Sequence, residues 1–291
     1  IVDDIPNIKD PIGMMGARLE ANFHIITGQM NPARNIYRCV EDAGLSVDQL
    51  ILEPIGSSVA VLTKEEKEAG VALIDIGGGT TDIAIFQDGI IRHTAVIPFG
   101  GNIITEDIVA GCNIIRSYAE LLKTRHGYAI SMPKMMNRIV TVPGIQGRPA
   151  REISVANLAS IIRARMEEIL DYALAEIESS GFREKLSAGV VLTGGGSQLR
   201  HVKQLTEFVT GLDARIGLPD SHIAGNSKNS LDNPIFSTAV GLMIMGFQEV
   251  QRKERDNNRV VTTKKPKNNR LTELIKNQFG RIFQEDDDAL E

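Results

Sequence analysis

The stretch LIDIGGGTTDIAIF, residues 73–86, constrains the fold of this chain more than any other. The apolar runs VALIDI and DIAIF lack the period-two alternation of half-exposed strands, which predicts two central strands covered on both faces. Three glycines and two threonines separate these runs, whereas a tight turn needs only one or two glycines. Because consecutive glycines let backbone N–H groups face one point and bind an anion, the stretch predicts an anion-binding loop. A tight hairpin without a ligand is the alternative.

A second glycine triplet, Gly194–Gly196 in VVLTGGGSQLR, follows another apolar strand and precedes a helix. Flat glycine backbone lets an aromatic ring or a sugar lie against the chain. One glycine-rich turn is a weak signal. Two of them about 115 residues apart, one a hairpin and one opening a helix, are more specific, since α/β sheets bind ligands at such strand ends.

Composition narrows the class of protein. The chain has 291 residues, of which 42% are hydrophobic, which predicts a globular protein of two domains or one large one. A net charge of −5 argues against a nucleic-acid partner. Cys39 and Cys112 form no CxxC motif and predict buried, reduced thiols in a cytosolic protein. The sequence contains no membrane-span-length apolar run and no signal peptide, and its start without methionine leads us to expect a fragment.

Periodicity and turn signals predict an α/β chain. Asn31 before Pro32 indicates a helix N-cap, and Asp88-Gly89 indicates a type I′ hairpin turn. The predicted strands include residues 22–28 and 49–54, the two apolar runs VALIDI and DIAIF, a strand ending near Pro98, short strands within 129–153, and AGVVLTG. The predicted helices cover about 31–43, 55–68, 102–113, 116–125, 154–179, 200–210 and 234–247.

These motifs resemble those of the actin and heat-shock chaperone ATPase superfamily. IDIGGGTTDIAIF resembles its second phosphate motif and VVLTGGGSQLR its adenosine motif, while LEPIGSSVAVL and NPIFSTAVGLMIMG resemble its two connecting helices. Within the superfamily, DPIGMMGARLEANFHIITG, FGGNIITEDIV, AELLKTRHGYA and ARIGLPD are similar to the FtsA family of bacterial division proteins. The resemblance covers residues 10–248. It implies an actin-like (ribonuclease H-like) ATPase fold of two domains, here mostly domain II with part of domain I.

The resemblance also implies where the parts of the chain begin and end. The first phosphate motif of the superfamily is absent, which fits a truncated domain I and puts nucleotide binding by this chain alone in question. In chain order the predicted parts are a partial family-specific inserted subdomain (1–48), the connecting strand and helix of domain I (49–66), the domain II core sheet (67–102 and 185–232), a small domain II subdomain (103–184), the second connecting helix (233–248), a disordered linker (249–270), an amphipathic helix (271–284) and an acidic tail (285–291).

The family's nucleotide-binding roles fall on matching residues. The resemblance implies ATP and magnesium as cofactors, with Asp75 and Glu53 as the candidate catalytic residues that orient magnesium-bound water; Asp75 would hold the metal through water. The residues implied to cradle the β- and γ-phosphates are Gly77, Gly78, Gly79, Thr80 and Thr81. Those implied to contact the adenosine are Glu120, Lys123, Gly194, Gly195, Gly196 and Ser197. Positions 120 and 123 share a helix face, and an ordinary surface ion pair is the alternative there.

Partners follow from the same resemblance. FtsA-like proteins bind the C-terminal tail of the tubulin-like ring protein FtsZ, and Arg151 and Arg165 are the candidate contacts, because guanidinium pairs bidentately with carboxylate. Each arginine could instead be simply solvated. Self-association into actin-like filaments and contacts with other divisome proteins are also implied.

The end of the sequence predicts a membrane anchor. In LTELIKNQFGRIF one helix face carries Leu271, Leu274, Ile275, Phe279, Ile282 and Phe283, with Gln278 as its one polar member. A basic segment precedes this face, as in interfacial amphipathic helices. The acidic tail EDDDALE would weaken attraction to anionic lipid. Packing onto its own domain or into a partner's groove are the alternatives.

The resemblance therefore implies an ATP-regulated adaptor that tethers FtsZ filaments to the cytoplasmic face of the inner membrane at the division site. Any ATP hydrolysis is expected to be slow. The alternatives are a sugar kinase or phosphatase of the same superfold, a chaperone-like ATPase and a pilus-assembly scaffold. The first lacks a candidate sugar pocket, and the second lacks a substrate domain.

Overall fold

The structure is a computed structural model that describes residues 1–5, 8, 11–21, 23–135, 137–144, 149–219 and 231–262, with only the backbone of 134 and 256–262. The predicted amphipathic helix, its six apolar residues and the acidic tail lie outside the described residues. The chain divides into two compact units, Ile1–Met245 and Gly246–Glu291.

Helices and strands follow one another in runs of one to three along the described part of the chain. The helices are α1 (Met30–Asp42), α2 (Glu53–Val61), α3 (Lys64–Ala69), α4 (Gly101–Cys112), α5 (Arg116–His126), α6 (Val155–Ser179), α7 (Val202–Thr210) and α8 (Ser237–Thr262). The strands are β1 (Val71–Ile76), β2 (Thr81–Gln87), β3 (Ile90–Ile97), β4 (Ile139–Val142), β5 (Arg151–Ser154), β6 (Val190–Thr193) and β7 (Ala214–Ile216). Short 3-10 helices lie at Pro133–Met135, Arg183–Lys185, Gly195–Gln198 and Pro234–Phe236.

A five-stranded mixed sheet in the order β3-β2-β1-β6-β7 forms the centre of the first unit. Strand β1 pairs antiparallel with β2 and parallel with β6, and β6 pairs parallel with β7. All six residues of β1 are buried, as are six of the seven in β2. The predicted pair of central strands is confirmed. The crossover from β2 and β3 to β6 contains α4, α5, the β4–β5 hairpin and α6.

The alternation of side chains along a strand distributes the core over both faces of this sheet. Ile74 and Ile83 belong to a large cluster that includes the apolar sides of α4 and α6, with Ile104, Ile162 and Met166 fully buried. On the opposite face, the neighbouring strand residues pack in a second cluster with α2 and the start of α8: Val71, Leu73, Ala84, Phe86, Val191, Ala60, Val61 and Val240. Helices on both faces explain why β1 and β2 read as continuous apolar runs.

Local signals placed several elements correctly. Asp88 and Gly89 have φ angles of 55° and 73°, the left-handed pair that a type I′ turn requires. Ser154 caps α6, its hydroxyl accepting a hydrogen bond from the Asn157 N–H at 3.4 Å. Strands β4 and β5 pair antiparallel within the segment for which short strands were predicted.

Other predictions about secondary structure were wrong. No strand forms at residues 23–28 or 49–54, because no described strand pairs with either segment; Phe23 and Ile25 are 82% and 80% exposed. Helix α1 begins at Met30 with Gln29 as its N-cap, so Asn31 lies inside the first turn. There Pro32 is tolerated because first-turn N–H groups have no intrahelical acceptor.

The predicted end of the last helix near Phe247 was also wrong. Helix α8 continues to Thr262, through part of the segment predicted to be a disordered linker. In the second unit, Glu249 pairs with Arg252 at 3.2 Å and with Lys253 at 3.9 Å, spacings that stabilise a polar helix. Within the described residues, no helix combines the length and apolar character needed to cross a membrane.

Candidate functional site: a glycine-lined cleft

A cavity of about 300 Å³ opens where the two glycine turns meet α4 and α5. Its size lies at the lower end of the range for small-molecule sites, about 300–1,000 Å³. The lining residues are Gly77, Gly78, Gly101, Ile104, Glu120, Lys123, Thr124, Gly195, Gly196, Gln198, Leu199 and Ile235. The structure therefore brings together three segments that are widely separated in the sequence: the first glycine loop, the 120–124 turn of α5 and the second glycine turn.

The first glycine loop is fastened to the start of α4. The Gly77 N–H donates to the Thr80 carbonyl at 2.9 Å, and the Gly77 and Gly78 carbonyls accept from the N–H groups of Gly101 and Asn102, both at 2.8 Å. A Cβ at Gly100 would lie 2.6 Å from the Gly77 oxygen, so only glycine permits this approach. The loop and the N-terminus of α4 consequently form one rigid wall of the cleft.

The exposed tip of this loop fits an anionic ligand. Gly78 and Gly79 are exposed, and the nearest atom to a Cβ built on Gly78 is 3.4 Å away, while none lies within 4 Å of one on Gly79. The space beside the backbone is thus open on the side where consecutive N–H groups could meet a phosphate. The helix N-terminus of α4 beside it adds a positive end of a helix dipole.

The two threonines of the loop differ in orientation. Thr80 donates its hydroxyl to Asp82 at 3.0 Å and is partly exposed. Thr81 is fully buried and donates its hydroxyl to the Phe99 carbonyl at 3.0 Å, so the structure does not bring this side chain to the cleft. Its hydroxyl holds the β2 end of the loop against the segment that leads into α4.

Asp75, at the end of β1, is tied to both helices that pack on the opposite face of the sheet. Its Oδ2 accepts a hydrogen bond of 2.5 Å from the Ser57 hydroxyl of α2. The Ser57 hydroxyl lies 2.9 Å from the Thr238 hydroxyl of α8. The carboxylate is only 4% exposed. A change at Asp75 would therefore reach α2 and α8 directly through these hydroxyl groups.

Three carboxyl groups approach each other around the loop. Asp75 faces Asp82 across the β1–β2 pair, and Glu53 opens α2. Burial raises the pKa of Asp75, and the charge of Asp82 raises it further against the opposing effect of Ser57 and Thr238. Burial and the charges of Asp82 and Asp75 raise the pKa of Glu53, while burial raises that of Asp82. A cation would relieve this repulsion.

The carboxyl groups fit a water-mediated magnesium site better than a direct one. Among the described residues, no group of three His, Cys, Asp or Glu is spaced to bind a metal ion directly. Mg²⁺ usually keeps several waters and uses one or two protein carboxylates together with substrate phosphates. Asp75, Asp82 and Glu53 are the groups that could accept hydrogen bonds from those waters.

Glu120 and Lys123 form a polar corner on α5. The Lys123 ammonium donates to the Gly101 carbonyl and to the Thr105 hydroxyl, both at 2.8 Å, and pairs with Glu120 at 2.8 Å. The Thr105 hydroxyl also donates to Glu120 at 2.5 Å. Burial acts to raise the pKa of Glu120, but the hydrogen bonds and charge of Lys123 outweigh it and the pKa is lowered. Glu120 remains a charged acceptor suited to ribose hydroxyls.

The second glycine turn passes very close to the first strand. A Cβ at Gly194 would lie 2.3 Å from Asp75 Oδ1, and Gly194 has a φ of 79°. Glycine is therefore required both by the lack of space and by the backbone conformation. Gly195 and Gly196 line the cleft. Ser197 is 3% exposed and donates to the Gly194 carbonyl at 2.7 Å, so it shapes the turn and does not line the cavity.

The two arginines proposed for partner binding have different surroundings. The Arg165 guanidinium is held by Asp107 at 2.6 Å and 3.0 Å and by Glu168 at 2.5 Å, which joins α4 to α6. Arg151 is exposed, donates to the Cys112 carbonyl at 3.2 Å, and borders a second cavity of about 250 Å³ with Tyr118. Of these two arginines, Arg151 forms no ion pair with a carboxylate among the described residues, whereas Arg165 is already neutralised by Asp107 and Glu168.

Two family models match the chain: "Cell division protein FtsA" over residues 72–241 and "SHS2 domain inserted in FTSA" over residues 1–27. The first covers more than half of the chain, including both glycine turns and the α5 corner. The chain belongs to the FtsA family. The predicted resemblance is therefore confirmed.

Relatives of this FtsA-family chain are cell division proteins of diverse bacteria. It is 42% identical over 249 residues to the cell division protein FtsA of Pseudomonas aeruginosa, covering 86% of this chain and 59% of that protein. It is 43% identical over 244 residues to FtsA of Neisseria meningitidis, covering 84% of this chain and 58% of that protein. It is 41% identical over 280 residues to FtsA of Borreliella burgdorferi, covering 96% of this chain and 67% of that protein. The chain thus spans about three fifths of the length of the first two.

Solved structures of lower identity show the fold. MreB5 of Spiroplasma citri bound to ADP aligns with a TM-score of 0.60 at 20% identity, covering 79% of this chain and 69% of that one. The PilM–PilN type IV pilus biogenesis complex gives a TM-score of 0.56 at 21% identity, covering 74% and 57%. The predicted actin-like α/β fold of this FtsA-family member is confirmed.

Sequence reasoning missed several residues of the FtsA-family cleft. Thr105 bridges Glu120 and Lys123, and Ser57 fixes Asp75, although both stand in segments that had been matched to the family. A hydroxyl one helical turn after Gly101 was an available signal for Thr105. Asp82, which follows the two threonines of the loop, was given no role. The apolar wall from Leu199 and Ile235 carries no motif and becomes visible only in three dimensions.

Proposed function

We propose that the glycine-lined cleft binds ATP with magnesium and that nucleotide binding regulates self-association of an FtsA-type division protein. The observation that carries this proposal is the convergence of both glycine turns and the Glu120–Lys123 corner on one cavity. Gly77–Gly79 and the α4 N-terminus suit the phosphates, Asp75, Asp82 and Glu53 suit magnesium-bound water, and the corner with the second turn suits the adenosine. Two structures of Spiroplasma citri MreB5, one bound to ADP and one to AMPPNP, support this assignment.

Nucleotide binding can be tested by titrating a fluorescent ATP analogue into the chain with Mg²⁺. Gly195→Leu should abolish binding, because a Cβ at Gly195 has no contact closer than 3.7 Å and the added side chain fills the cleft without disturbing the backbone. Lys123→Ala should weaken binding about tenfold, or about 1.4 kcal/mol. Lys64→Ala removes an exposed charge from α3 and serves as the control. Binding of ATP by Gly195→Leu with unchanged affinity would refute the assignment of the cleft.

We propose that hydrolysis, where it occurs, is slow and that Asp75 is the candidate general base. Burial raises the pKa of Asp75 towards values useful for accepting a proton from water. Its hydrogen bond from Ser57 keeps one oxygen occupied and so restricts this role. Asp75→Asn should abolish phosphate release while ATP remains bound. Unchanged release would exclude Asp75 as the base.

We propose that the small subdomain binds the tail of an FtsZ-type protein through Arg151. The argument rests on its exposure, on the cavity beside it and on the affinity of guanidinium for carboxylate. Arg165 supports the same subdomain from within, because its pairs with Asp107 and Glu168 hold α4 against α6.

Titration of an FtsZ tail peptide separates these roles. Arg151→Glu should abolish binding and leave the urea midpoint unchanged, whereas Arg165→Glu should lower the midpoint as well. Arg163→Glu, which replaces a partly exposed arginine on α6, is the control. Equal affinity of Arg151→Glu and the unmodified chain would exclude Arg151 as a contact.

We propose that residues 271–284 anchor the protein reversibly to anionic membrane from the cytoplasmic side. The support is their amphipathic sequence and the preceding basic residues. The tail 285–291 opposes binding by about 1 kcal/mol for each carboxylate held at the surface. Deleting 271–291 should abolish sedimentation with phosphatidylserine vesicles, and deleting 285–291 alone should strengthen it. Sedimentation that persists without 271–291 would refute the anchor.

A further inference from the structure

Two arginines converge on the phenol oxygen of Tyr128, outside the cleft and the Arg151 face. The Tyr128 hydroxyl accepts hydrogen bonds from Arg200 Nη1 at 2.6 Å and from Arg138 Nη1 at 3.3 Å. These distances place the two guanidinium nitrogens no more than about 6 Å apart. Two like charges are therefore held together by one neutral oxygen, an arrangement that costs free energy unless an anion joins it.

The convergence is built into the backbone. Tyr128 is 7% exposed, and the Ala129 N–H donates to the Arg200 carbonyl at 2.8 Å. The Val155 N–H donates to the Arg138 carbonyl at 2.9 Å, which fixes the start of β4 against α6. The His201 ring stacks on the Tyr128 ring at 5.9 Å. The arginines are thus presented from fixed positions, with their ends at the surface.

Further positive charge surrounds this pair. Arg125 lies in the last turn of α5. Burial lowers the pKa of His126, and the charges of Arg138, Arg200 and Arg125 lower it further. We call Arg125, Arg138 and Arg200 the arginine cluster. All three are exposed, and in the described part of the chain none forms an ion pair with a carboxylate. The arginines that do form such pairs are Arg18, Arg38, Arg92, Arg116, Arg163, Arg165, Arg183, Arg215 and Arg252.

The contrast with these nine paired arginines points to an external partner. The chain carries 37 acidic and 32 basic residues, so carboxylates were available to neutralise the arginine cluster, as they do elsewhere. A single small anion would gain little at such an exposed site, about 0–1 kcal/mol per pair. A polypeptide carrying several carboxylates adds such contributions together, and planar forks at fixed positions match carboxylates geometrically.

We propose that the arginine cluster docks an acidic polypeptide segment of another protein. Leu121 is 41% exposed one helical turn before Arg125 and gives the surface an apolar edge, so a segment that mixes carboxylates with apolar side chains fits best. The site is distinct from the Arg151 face: Arg138 precedes β4, whereas Arg151 pairs with Val142 at the other end of that hairpin. A strand of four residues separates them, about 13 Å.

Fluorescence anisotropy with a labelled peptide of about twelve residues, alternating Glu and Leu, tests the proposal, with a Lys and Leu peptide as control. The double variant Arg138→Gln, Arg200→Gln should weaken binding of the acidic peptide by about tenfold. Arg163→Gln, which removes a paired arginine, should not weaken it. Raising the salt concentration from about 0.05 M to 0.2 M should weaken binding to the unmodified chain.

Tyr128→Phe separates positioned forks from general positive charge. It keeps every charge and the buried ring but removes the oxygen that holds both guanidinium groups, so binding should fall about threefold while the urea midpoint changes little. Arg200→Lys should weaken peptide binding to a similar extent, because the lysine ammonium lacks the planar, two-pronged geometry of guanidinium. Unchanged peptide binding in both Tyr128→Phe and the double variant would overturn the proposal. So would full displacement of the peptide by inorganic phosphate at equal charge, or arginine-dependent binding of phosphatidylserine vesicles without peptide binding.

Discussion

The crossing of α2 and α8 allows a sharp test of how the two helices are packed. A Cβ added to Gly241 of α8 would lie 1.8 Å from the Gly56 carbonyl oxygen of α2. Ordinary contact begins near 3.4 Å, so Gly241→Ala must push the helices apart by roughly 1.5 Å or bend one of them. Because the obstructing atom is backbone, no side-chain rotation relieves the overlap.

The expected magnitude combines two opposing effects. Replacing glycine by alanine inside a helix stabilises it by about 1 kcal/mol. Overpacking a well-packed contact costs about 1–3 kcal/mol. The separation would also stretch the Ser57–Thr238 contact of 2.9 Å, which lies beside the crossing and is linked to Asp75. We expect Gly241→Ala to lower the free energy of unfolding by about 1–2 kcal/mol net.

Urea denaturation followed by circular dichroism measures the change. A loss of this size shifts the midpoint by about 0.5 M for a chain of this length. Gly246→Ala is the matched control on the same helix, since no atom lies within 4 Å of its Cβ; it should raise stability by about 0.5–1 kcal/mol. Equal or greater stability of Gly241→Ala than of Gly246→Ala would refute the packing argument.

Two further predictions concern an ion pair and a turn. Burial alone would raise the pKa of Glu66, but the hydrogen bonds and charge of Arg215 outweigh it and lower the pKa. The Glu66–Arg215 pair therefore contributes fully to the free energy of unfolding above the ordinary pKa of 4.5. This contribution is lost as pH falls through the folded-state pKa. Glu66→Gln should cost about 1 kcal/mol at pH 7 after screening at partly exposed Arg215. The difference in urea midpoint between Glu66→Gln and the unmodified chain should shrink below pH 4.5. Glu184→Gln replaces an exposed carboxylate and is the control, which should leave the midpoint nearly unchanged at pH 7. Gly89→Ala, forced to keep a φ of 73°, should lose about 1 kcal/mol, whereas Gly28→Ala should be near neutral; equal stability of the two would refute the turn strain.

Local sequence signals predicted much of the fold because they act over short distances. Unbroken apolar runs identified β1 and β2 as covered strands, Asp88-Gly89 marked the turn, and Ser154 marked the start of α6. In the cleft, glycines were detectable because the reason for them is local: a Cβ at Gly194 would collide with the neighbouring strand.

The errors arose where pairing or charge decides the structure. Residues 23–28 have strand composition but no partner strand among the described residues, and composition does not show pairing. The polar end of α8 lacks an apolar face but gains ion pairs from Glu249. The threonine pair of the loop looked equivalent in sequence, yet Thr81 begins the buried strand β2, whereas Thr80 precedes it and is partly exposed. Thr105 and Ser57 act through contacts made only after the chain has folded.

The parallel pairing of β1 with β6 bears on how this chain acquires its structure in time. Ala72 pairs with Val190, so the centre of the sheet closes a loop of more than one hundred residues. Closing a flexible loop of that length costs roughly 4 kcal/mol of chain entropy. Collapse of α4, α5 and α6 beforehand shortens the effective loop and lowers this barrier. The refolding rate should therefore depend more on the formation of these three helices than on the strands that they connect.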